Sequence, residues 1–362
     1  MKRILTLDGG GIRGVFSLEV LLRIQTLLRQ HLNAPKLILA DHFDFFAGTS
    51  TGAIIATALS WGMTVEEVLD LYVQHGTTMF QHVPWYHPIR RFLVSQYEAK
   101  PLSDMLRRLL SEDGNGEVPA LLGSKRLKTL LLLIMRNHTT GSAWPVTNNP
   151  QAKYNQNDLP DCNLKVPLWK LVRASAAAPV FFDPEEISLG GARHVFVDGA
   201  ITPYNNPALI AALTAVLPCY RVSWEPGPDK IRLISVGTLR FSMAEKDANV
   251  HRMWLGYNAA QIPAALMQGI AMEQDYACRC LGQCIHGEEL DSEIGNLERA
   301  ELPGRNWFSY VRYNRSYMGK ESEELLRKNP QLSGIDAVSA IPALRGIGRA
   351  YAEEHVRIEH LM

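Results

Sequence analysis

Apolar and polar positions repeat one pattern twice in the first 60 residues. An apolar run over residues 3–7 ends in consecutive glycines, and residues 15–32 then carry apolar side chains near the helical period. A second apolar run over residues 43–47 also ends at a glycine, and small or aliphatic residues follow over 53–61. Each unit predicts a strand, a tight turn and a helix. Two such units in succession predict a right-handed crossover and a mostly parallel sheet.

Similar patterns continue to the end of the chain. Residues 64–110 are predicted to be helical on both sides of an aromatic, proline-containing loop at 79–92, with helix starts at Thr64 and Ser103. Further strands are predicted at 127–134, 195–197, 231–236 and 307–313, and further helices at 263–283 and 342–360. We therefore expect one α/β domain with helices on both faces of a central, mostly parallel sheet and a C-terminal helical portion packed against it.

Composition narrows the classes of function. The 362 residues include 37 basic and 37 acidic side chains, so the formal net charge is zero and binding of nucleic acid by bulk electrostatics is disfavoured. Five scattered cysteines do not form a disulfide framework and favour a reducing compartment. The N-terminal apolar run is broken early by Asp8, and the longest aliphatic run, at 130–135, is far shorter than the ~20 residues of a membrane span. We expect a cytoplasmic protein that contacts membranes only peripherally.

The second glycine turn contains a candidate nucleophile. The stretch from Gly48 to Gly52 fits G-x-S-x-G with Ser50 at its centre, and it lies between a predicted strand and a predicted helix. The flanking glycines allow a sharp turn that would expose the hydroxyl group at the helix N-terminus, where developing negative charge is favoured. The alternative is a small-residue turn that only caps the helix.

The first glycine turn is a candidate anion site. Gly9, Gly10 and Gly11 would expose several backbone N–H groups in one concavity, which suits the oxyanion of an acyl-transfer reaction. Arg13 could hold the same oxygen or a substrate phosphate, or it could be a surface salt-bridge residue.

The same turn also fits G-x-G-x-x-G through Gly14, which is a dinucleotide-binding signature. Asp8 would set a carboxylate beside the pyrophosphate, and the second strand lacks the acid that binds ribose, so this reading is disfavoured.

The candidate base is a carboxylate, because most of the eleven histidines lie singly along the chain. Asp198 follows a predicted strand and precedes Gly199, which would place it at the same sheet edge as Ser50. A carboxylate near its ordinary pKa of ~3.9 is a poor base at neutral pH, so Asp198 must be buried or tightly hydrogen-bonded. Its alternative role is to cap the next helix.

Two other segments carry suggestive side chains. Three cysteines and a histidine crowd nine positions and raise the question of zinc: Cys278, Cys280, Cys284 and His286. The segment is predicted to be one helix, on which Cys278 and Cys280 point in different directions, so we expect buried thiols and no metal. The loop at 79–92 mixes basic and aromatic residues such as Trp85, which suits either a membrane-contacting lid or a loop packed on the sheet.

Taken together, these motifs resemble the patatin-like phospholipase family. The ordered matches are the glycine turn after Asp8, the elbow around Ser50, and Asp198-Gly199-Ala200. The segments at 173–182 and Asn205-Asn206-Pro207 also resemble the family's core, and the similarity continues more weakly through 307–313. One departure is Leu239, where the family pattern leads us to expect glycine. The resemblance implies a patatin-like catalytic core over residues 1–240 and a C-terminal helical portion over 241–362.

The resemblance also implies a function. Ser50 would be the nucleophile, Asp198 its sole base partner and Gly9 to Gly11 the oxyanion hole, without metal or cofactor. The reaction would be hydrolysis of fatty-acyl esters in membrane phospholipids through an acyl-serine intermediate, as in a phospholipase A. Some bacterial relatives are second-messenger-activated effectors of antiviral defence, so a cyclic nucleotide activator is an open question. Two alternatives remain: an esterase with a triad that includes His251, and a silent lipid- or nucleotide-binding module.

Overall fold

The computed structural model describes residues 1–79, 97–241, 255–298 and 307–362. Its strands are β1 (Lys2–Leu7), β2 (Phe45–Thr49), β3 (Leu130–Asn137), β4 (Ser142–Thr147), β5 (Glu185–Leu189), β6 (Ala192–Asp198), β7 (Ile231–Val236), β8 (Arg240–Phe241), β9 (Gln283–His286), β10 (Ser309–Tyr313) and β11 (Ser316–Tyr317). Its helices are α1 (Gly14–His31), α2 (Thr51–Ser60), α3 (Val65–Met79), α4 (Ala99–Leu109), α5 (Leu168–Ser175), α6 (Ala208–Val216), α7 (Leu255–Leu281), α8 (Gly319–Lys328) and α9 (Ile341–His355). Most of the loop predicted at 79–92, including Trp85, lies outside the described residues, as does His251.

A nine-stranded sheet forms the centre of the fold. Its order is β5-β6-β3-β2-β1-β7-β10-β9, with β4 paired to β3. The neighbouring strands in the series β3, β2, β1, β7, β10 and β9 pair in parallel. Strands β4 and β6 pair antiparallel with β3, and β5 pairs antiparallel with β6. The prediction of a mostly parallel α/β sheet is therefore confirmed, while β4, β5 and β9 are strands that the sequence pattern did not predict.

Strand β3 brings the ends of two other strands together. Along one edge of β3, parallel β2 ends with Thr49 opposite Ile134, and antiparallel β6 ends with Asp198 opposite Met135. The other edge of β3 is taken by β4. Because Ile134 and Met135 are adjacent, β2 and β6 run toward each other and meet end to end. Although β6 is antiparallel to β2, its last residue, Asp198, reaches the end of β2 that precedes Ser50, which is the shared position expected from the sequence.

Helices cover both faces of the sheet, and each face has its own apolar core. Along β1, Leu5 and Leu7 belong to one core with side chains from α1, α2 and α9, while Ile4 belongs to the other with side chains from α6 and α7. This alternation follows from the two-residue period of a strand that is buried on both sides.

Local sequence explains several helix boundaries. Thr64 caps α3 as predicted, since its hydroxyl accepts from the Glu67 N–H (3.2 Å) while the Glu67 carboxylate accepts from the Thr64 N–H (2.8 Å). Helix α4 begins at Ala99, four residues before the predicted start at Ser103. Helix α7 ends at Leu281, so the helix predicted through 283 stops short and β9 follows.

Residues beyond 240 contribute to the same sheet as well as to helices. Strands β9 and β10 extend the sheet beyond β7, and α9 packs against α1. The division at residue 240 remains a prediction. Within the described residues, no helix has the length and apolar character needed to cross a membrane.

Candidate active site

Ser50 occupies a strained turn between β2 and α2. Its backbone has φ 55° and ψ −122°, a conformation that costs free energy for a residue with a side chain. A Cβ atom on Gly48 would lie 2.1 Å from the Gly52 carbonyl oxygen, and one on Gly52 would lie 2.2 Å from the Leu7 carbonyl oxygen. Glycine is therefore required at both positions for α2 to start this close to β1 and β2.

The hydroxyl of Ser50 contacts the carboxylate of Asp198. Ser50 Oγ donates to Asp198 Oδ2 at 2.6 Å, and Asp198 Oδ1 accepts from the Ala200 N–H at 2.7 Å. Gly199 lets the chain turn here, because a Cβ at that position would lie 2.3 Å from the Ile134 carbonyl oxygen. The two predicted residues, 148 positions apart in sequence, thus form a hydrogen-bonded pair whose carboxylate also caps the turn that follows.

Burial changes the acidity of Asp198. The side chain is removed from solvent, which raises its pKa to about 6, while hydrogen bonds from Ser50 and Ala200 and the nearby charge of Arg173 act in the opposite direction. A carboxylate with this pKa is largely ionised at pH 7 yet is a far better proton acceptor than an exposed aspartate. Asp198 is therefore buried, as a carboxylate that acts as a base at neutral pH must be.

Ser175, at the end of α5, supports the backbone of Ser50. Its hydroxyl oxygen accepts from the Ser50 backbone N–H at 3.0 Å and donates to the Ile134 carbonyl oxygen. It is fully buried. No motif in the sequence assigned Ser175 a role, although it lies in the segment at 173–182 that resembles the family's core.

The glycine turn after β1 lies against Ser50, but its three amides differ. The Gly9 N–H donates to the Asn205 carbonyl oxygen at 3.1 Å, whereas the N–H groups of Gly10 and Gly11 have no acceptor among the described residues. Gly11 has φ 58°, which favours glycine, and a Cβ there would meet the Ile335 carbonyl oxygen at 2.1 Å. Gly10 and Gly11 are therefore the open donors of this turn.

Arg13 is not positioned for the oxyanion or substrate phosphate that the sequence suggested as its partner. Its Nη2 donates to the carbonyl oxygens of Leu332 (3.1 Å) and Ser333 (2.9 Å), and its guanidinium lies over the Phe241 ring. Burial lowers its pKa to about 10. The structure does not bring the Arg13 guanidinium to Ser50. Instead, Arg13 links the glycine turn to residues 332 and 333 by hydrogen bonds.

Asp8 has a structural partner that sequence reasoning missed. Its carboxylate is buried and accepts from Arg312 on β10, at 2.9 Å to Nη1 and 2.5 Å to Nη2. Burial raises the Asp8 pKa despite the guanidinium beside it, and removal of either partner would leave a buried charge unpaired. The ion pair ties the start of the glycine turn to β10, two strands away from β1 in the sheet.

The cysteine-rich segment forms no metal centre among the residues the structure describes. Cys278 and Cys280 lie on α7, whereas Cys284 and His286 lie on β9. Burial raises the pKa of Cys278 well above its ordinary value, which keeps the thiol protonated and consistent with a small apolar side chain.

Comparison with known proteins places these motifs in one family. The family model described as patatin-like phospholipase matches residues 5–212. A cGAMP-activated phospholipase of Vibrio cholerae is 26% identical over 247 residues, which cover 66% of this chain and 64% of that protein. Patatin-17 of Solanum cardiophyllum is 25% identical over 256 residues, which cover 66% of this chain and 60% of that protein. The matches thus span less than two thirds of either relative's length. A crystal structure of VipD from Legionella pneumophila aligns over 96% of this chain and 67% of its own, with 12% identity and a TM-score of 0.37.

Proposed function

Because the chain belongs to the patatin-like phospholipase family, we propose that it is a lipid acyl hydrolase that cleaves fatty-acyl esters of membrane phospholipids at Ser50. The observation that carries this proposal is the 2.6 Å hydrogen bond from Ser50 Oγ to a buried Asp198 carboxylate. A serine nucleophile needs an adjacent base; Ser50 supplies the nucleophile and Asp198 supplies the base. The protein acts at the surface of the membrane, where its substrate lies.

The reaction proceeds in two steps. Asp198 accepts the hydroxyl proton as Ser50 Oγ attacks the ester carbonyl carbon, and the resulting oxyanion receives hydrogen bonds from the amides of Gly10 and Gly11. Collapse of this intermediate breaks the ester bond, passes the proton to the leaving lysophospholipid and leaves an acyl group on Ser50. Water, deprotonated by Asp198, then attacks the acyl group, and Asp198 returns the proton to Ser50 Oγ as the acyl–serine bond breaks and the fatty acid leaves.

A dyad suffices in this proposal. Within the described residues, the side-chain oxygens of Asp198 accept from Ser50 and Ala200 and from no histidine. The rival triad needs His251, so His251→Ala separates the two mechanisms. A dyad predicts that hydrolysis of a soluble ester stays within about threefold of wild type, whereas a triad predicts a loss of ~10²–10⁴.

Lipid mass spectrometry tests the activity itself. Wild type and Ser50→Ala are incubated with vesicles of mixed phospholipids, and free fatty acids and lysophospholipids are quantified. We expect both products in equimolar amounts from wild type and neither from Ser50→Ala. Equal product from both variants would contradict Ser50 as the nucleophile, and no product from wild type under any activating condition would favour the silent binding module.

We further infer that a cyclic nucleotide switches the enzyme on. The support is the name of one relative, the cGAMP-activated phospholipase of Vibrio cholerae, with which the chain shares 26% identity. The vesicle assay is repeated with cGAMP and a panel of other cyclic mono- and dinucleotides. An increase of at least tenfold with one of them is expected. Full activity without additives, unchanged by every nucleotide, would contradict this regulation.

A further inference from the structure

The side chain of Asn205 lies beside the catalytic serine. A Cβ on Gly9 would lie 2.3 Å from Asn205 Oδ1 and 3.3 Å from Ser50 Cβ. The end of the carboxamide and the nucleophile's side chain are thus both in van der Waals reach of one point on the glycine turn. Gly9 must be glycine because the Asn205 carboxamide fills the space that a side chain would need.

The carbonyl oxygen of this carboxamide is the buried atom that lacks a partner among the described residues. Asn205 is 8% exposed, and within the described part of the chain its Oδ1 has no hydrogen-bond donor. An unpaired buried carbonyl oxygen is destabilising, which calls for an explanation. Gly9 and Asn205 both line a cavity of about 80 Å³, so atoms of a bound molecule can reach them, although Ser50 is not among the lining residues.

The neighbouring asparagine shows what a structural role looks like here. Asn206 Oδ1 accepts from the Ala208 N–H (3.1 Å) at the start of α6 and from the Ser235 hydroxyl (3.3 Å), while its Nδ2 has no partner among the described residues. Asn205 makes no such bonds through its Oδ1, so holding the loop together does not account for its side chain.

The position of Asn205 is explained by the oxyanion site, which lacks the Gly9 N–H as a free donor. The main-chain carbonyl of Asn205 occupies the Gly9 N–H, which leaves Gly10 and Gly11 as open backbone donors. Building on the proposed hydrolysis at Ser50, we propose that Asn205 is a further catalytic residue, whose Nδ2 donates a hydrogen bond to the oxyanion of the tetrahedral intermediate. The carbonyl oxygen of Asn205 takes up the Gly9 N–H, and the Asn205 side chain supplies a donor in its place.

The chemistry of a carboxamide favours this role. Rotation by 180° about χ2 exchanges Oδ1 and Nδ2 in nearly the same space, so the end that faces the site depends on what is bound. A negatively charged oxygen repels Oδ1 and attracts the NH₂ group. The hydrogen bond therefore strengthens as charge develops, which is the condition for accelerating the chemical step rather than substrate binding.

Substitution by aspartate separates donor from acceptor. Asn205→Asp keeps the shape and the acceptor but cannot donate when ionised, and Asn205→Ala removes both. Asn149→Asp is the matched control, because Asn149 is also buried and makes structural bonds at both ends of its carboxamide, to Gln151 N and Tyr220 O. For each variant, kcat and KM on a soluble p-nitrophenyl ester and the melting temperature are measured.

We expect kcat to fall by about 10²–10³ in Asn205→Ala and at least as much in Asn205→Asp, with KM changed less than threefold. Asn149→Asp should keep the wild-type kcat at temperatures where it is folded. If Asn205→Asp stays within threefold of the wild-type kcat, the donor role is wrong. If the Asn205 variants lose kcat only in proportion to unfolded protein, the residue is structural. A wild type no faster than Ser50→Ala would overturn the proposed hydrolysis, and this role with it.

Discussion

At the residue scale, the site combines two features that lower stability. Ser50 adopts a positive φ, and Asp198 is an ionisable group withdrawn from solvent. Each is compensated locally: Ser175 holds the Ser50 amide, and Ala200 and Ser50 donate to the carboxylate. Strain and burial of this kind are expected where side chains are fixed for chemistry rather than for stability.

The elevated pKa of Asp198 predicts the acid limb of the pH–rate profile. In its proposed role as base, Asp198 must be ionised, so kcat/KM for a soluble ester should rise tenfold per pH unit on the acid side and level off above about pH 6. The measurement is kcat/KM from pH 4.5 to 8 with the protein confirmed as folded throughout. A profile that is flat between pH 5 and 7 would contradict the assignment of Asp198 as base.

The raised pKa of Asp198 also predicts that ionisation of this carboxyl group destabilises the folded protein. The Asp198 pKa is about 6 in the folded protein, against 3.8 for a free aspartate, so its ionisation lowers stability as the pH rises through this interval. Asp198→Asn should therefore be inactive but more stable than wild type at pH 8, by about 3 kcal/mol at most. Thermal unfolding at pH 8 and pH 5 checks this. The advantage should shrink at pH 5, where wild-type Asp198 is already largely protonated.

Short motifs are the part of the site that can be predicted from sequence. Ser50 and Asp198 are each marked by glycines that only a sharp turn requires, so their neighbours identify them. The Asp8–Arg312 pair joins residues 304 positions apart and has no local signature. Arg13 shows the converse limit, since its charge suggested an anion partner but carbonyl groups from residues 332 and 333 bind it.

At the element scale, strand direction decides whether the dyad can form. The sequence pattern identified the strand before Asp198 but not its partner or its direction, because alternation of side chains is the same in parallel and antiparallel strands. Only the pairing of β6 with the far end of β3, in line with β2, brings Asp198 to Ser50. Leu239 shows a similar limit: it has φ 74° where the family pattern favours glycine, and its side chain is buried in the core.

Two glycines of α9 provide a matched test of helix packing. A Cβ on Gly348 would lie 2.8 Å from Glu19 Cβ on α1, whereas one on Gly346 would have nothing within 4 Å. Gly346→Ala should stabilise the protein by up to ~1 kcal/mol through helix propensity, and Gly348→Ala should destabilise it by about 1–3 kcal/mol through overpacking. Urea denaturation measures both. Changes of the same sign would contradict the close packing of α9 on α1.

At the scale of the whole molecule, the last residues of the chain are fastened to the sheet. Tyr313 on β10 hydrogen-bonds His360 at 2.8 Å, and Arg232 on β7 donates to the carbonyl oxygens of Glu359 and His360. His286 on β9 stacks on His360, with ring centroids 4.8 Å apart. No sequence pattern predicted this arrangement, because it depends on which strand lies beside the C-terminal segment.

The histidine stack should make this attachment sensitive to acid. Burial, followed by the charges of His360, His355, Arg279 and Arg357, lowers the pKa of His286 to about 4, with Glu298 the facing carboxylate. Since the unfolded chain binds this proton near pH 6.5, stability should fall between pH 6.5 and 4. His286→Phe keeps the ring and removes the charge, so it should lose about 1 kcal/mol less than wild type between pH 7.5 and 5, allowing for solvent screening. Parallel pH dependence of the two melting temperatures would exclude this cause.

Covalent labelling of the nucleophile tests the central claim most directly. The protein is treated with a p-nitrophenyl alkylphosphonate, which forms a stable mimic of the tetrahedral intermediate on an activated serine, and intact mass and peptide mapping are followed over time. Wild type should gain one phosphonyl group on Ser50, Ser50→Ala none, and Asp198→Asn should react at least about 10²-fold more slowly. Labelling of another residue with hydrolysis retained in Ser50→Ala, or labelling of Asp198→Asn at the wild-type rate, would contradict the Ser50–Asp198 dyad.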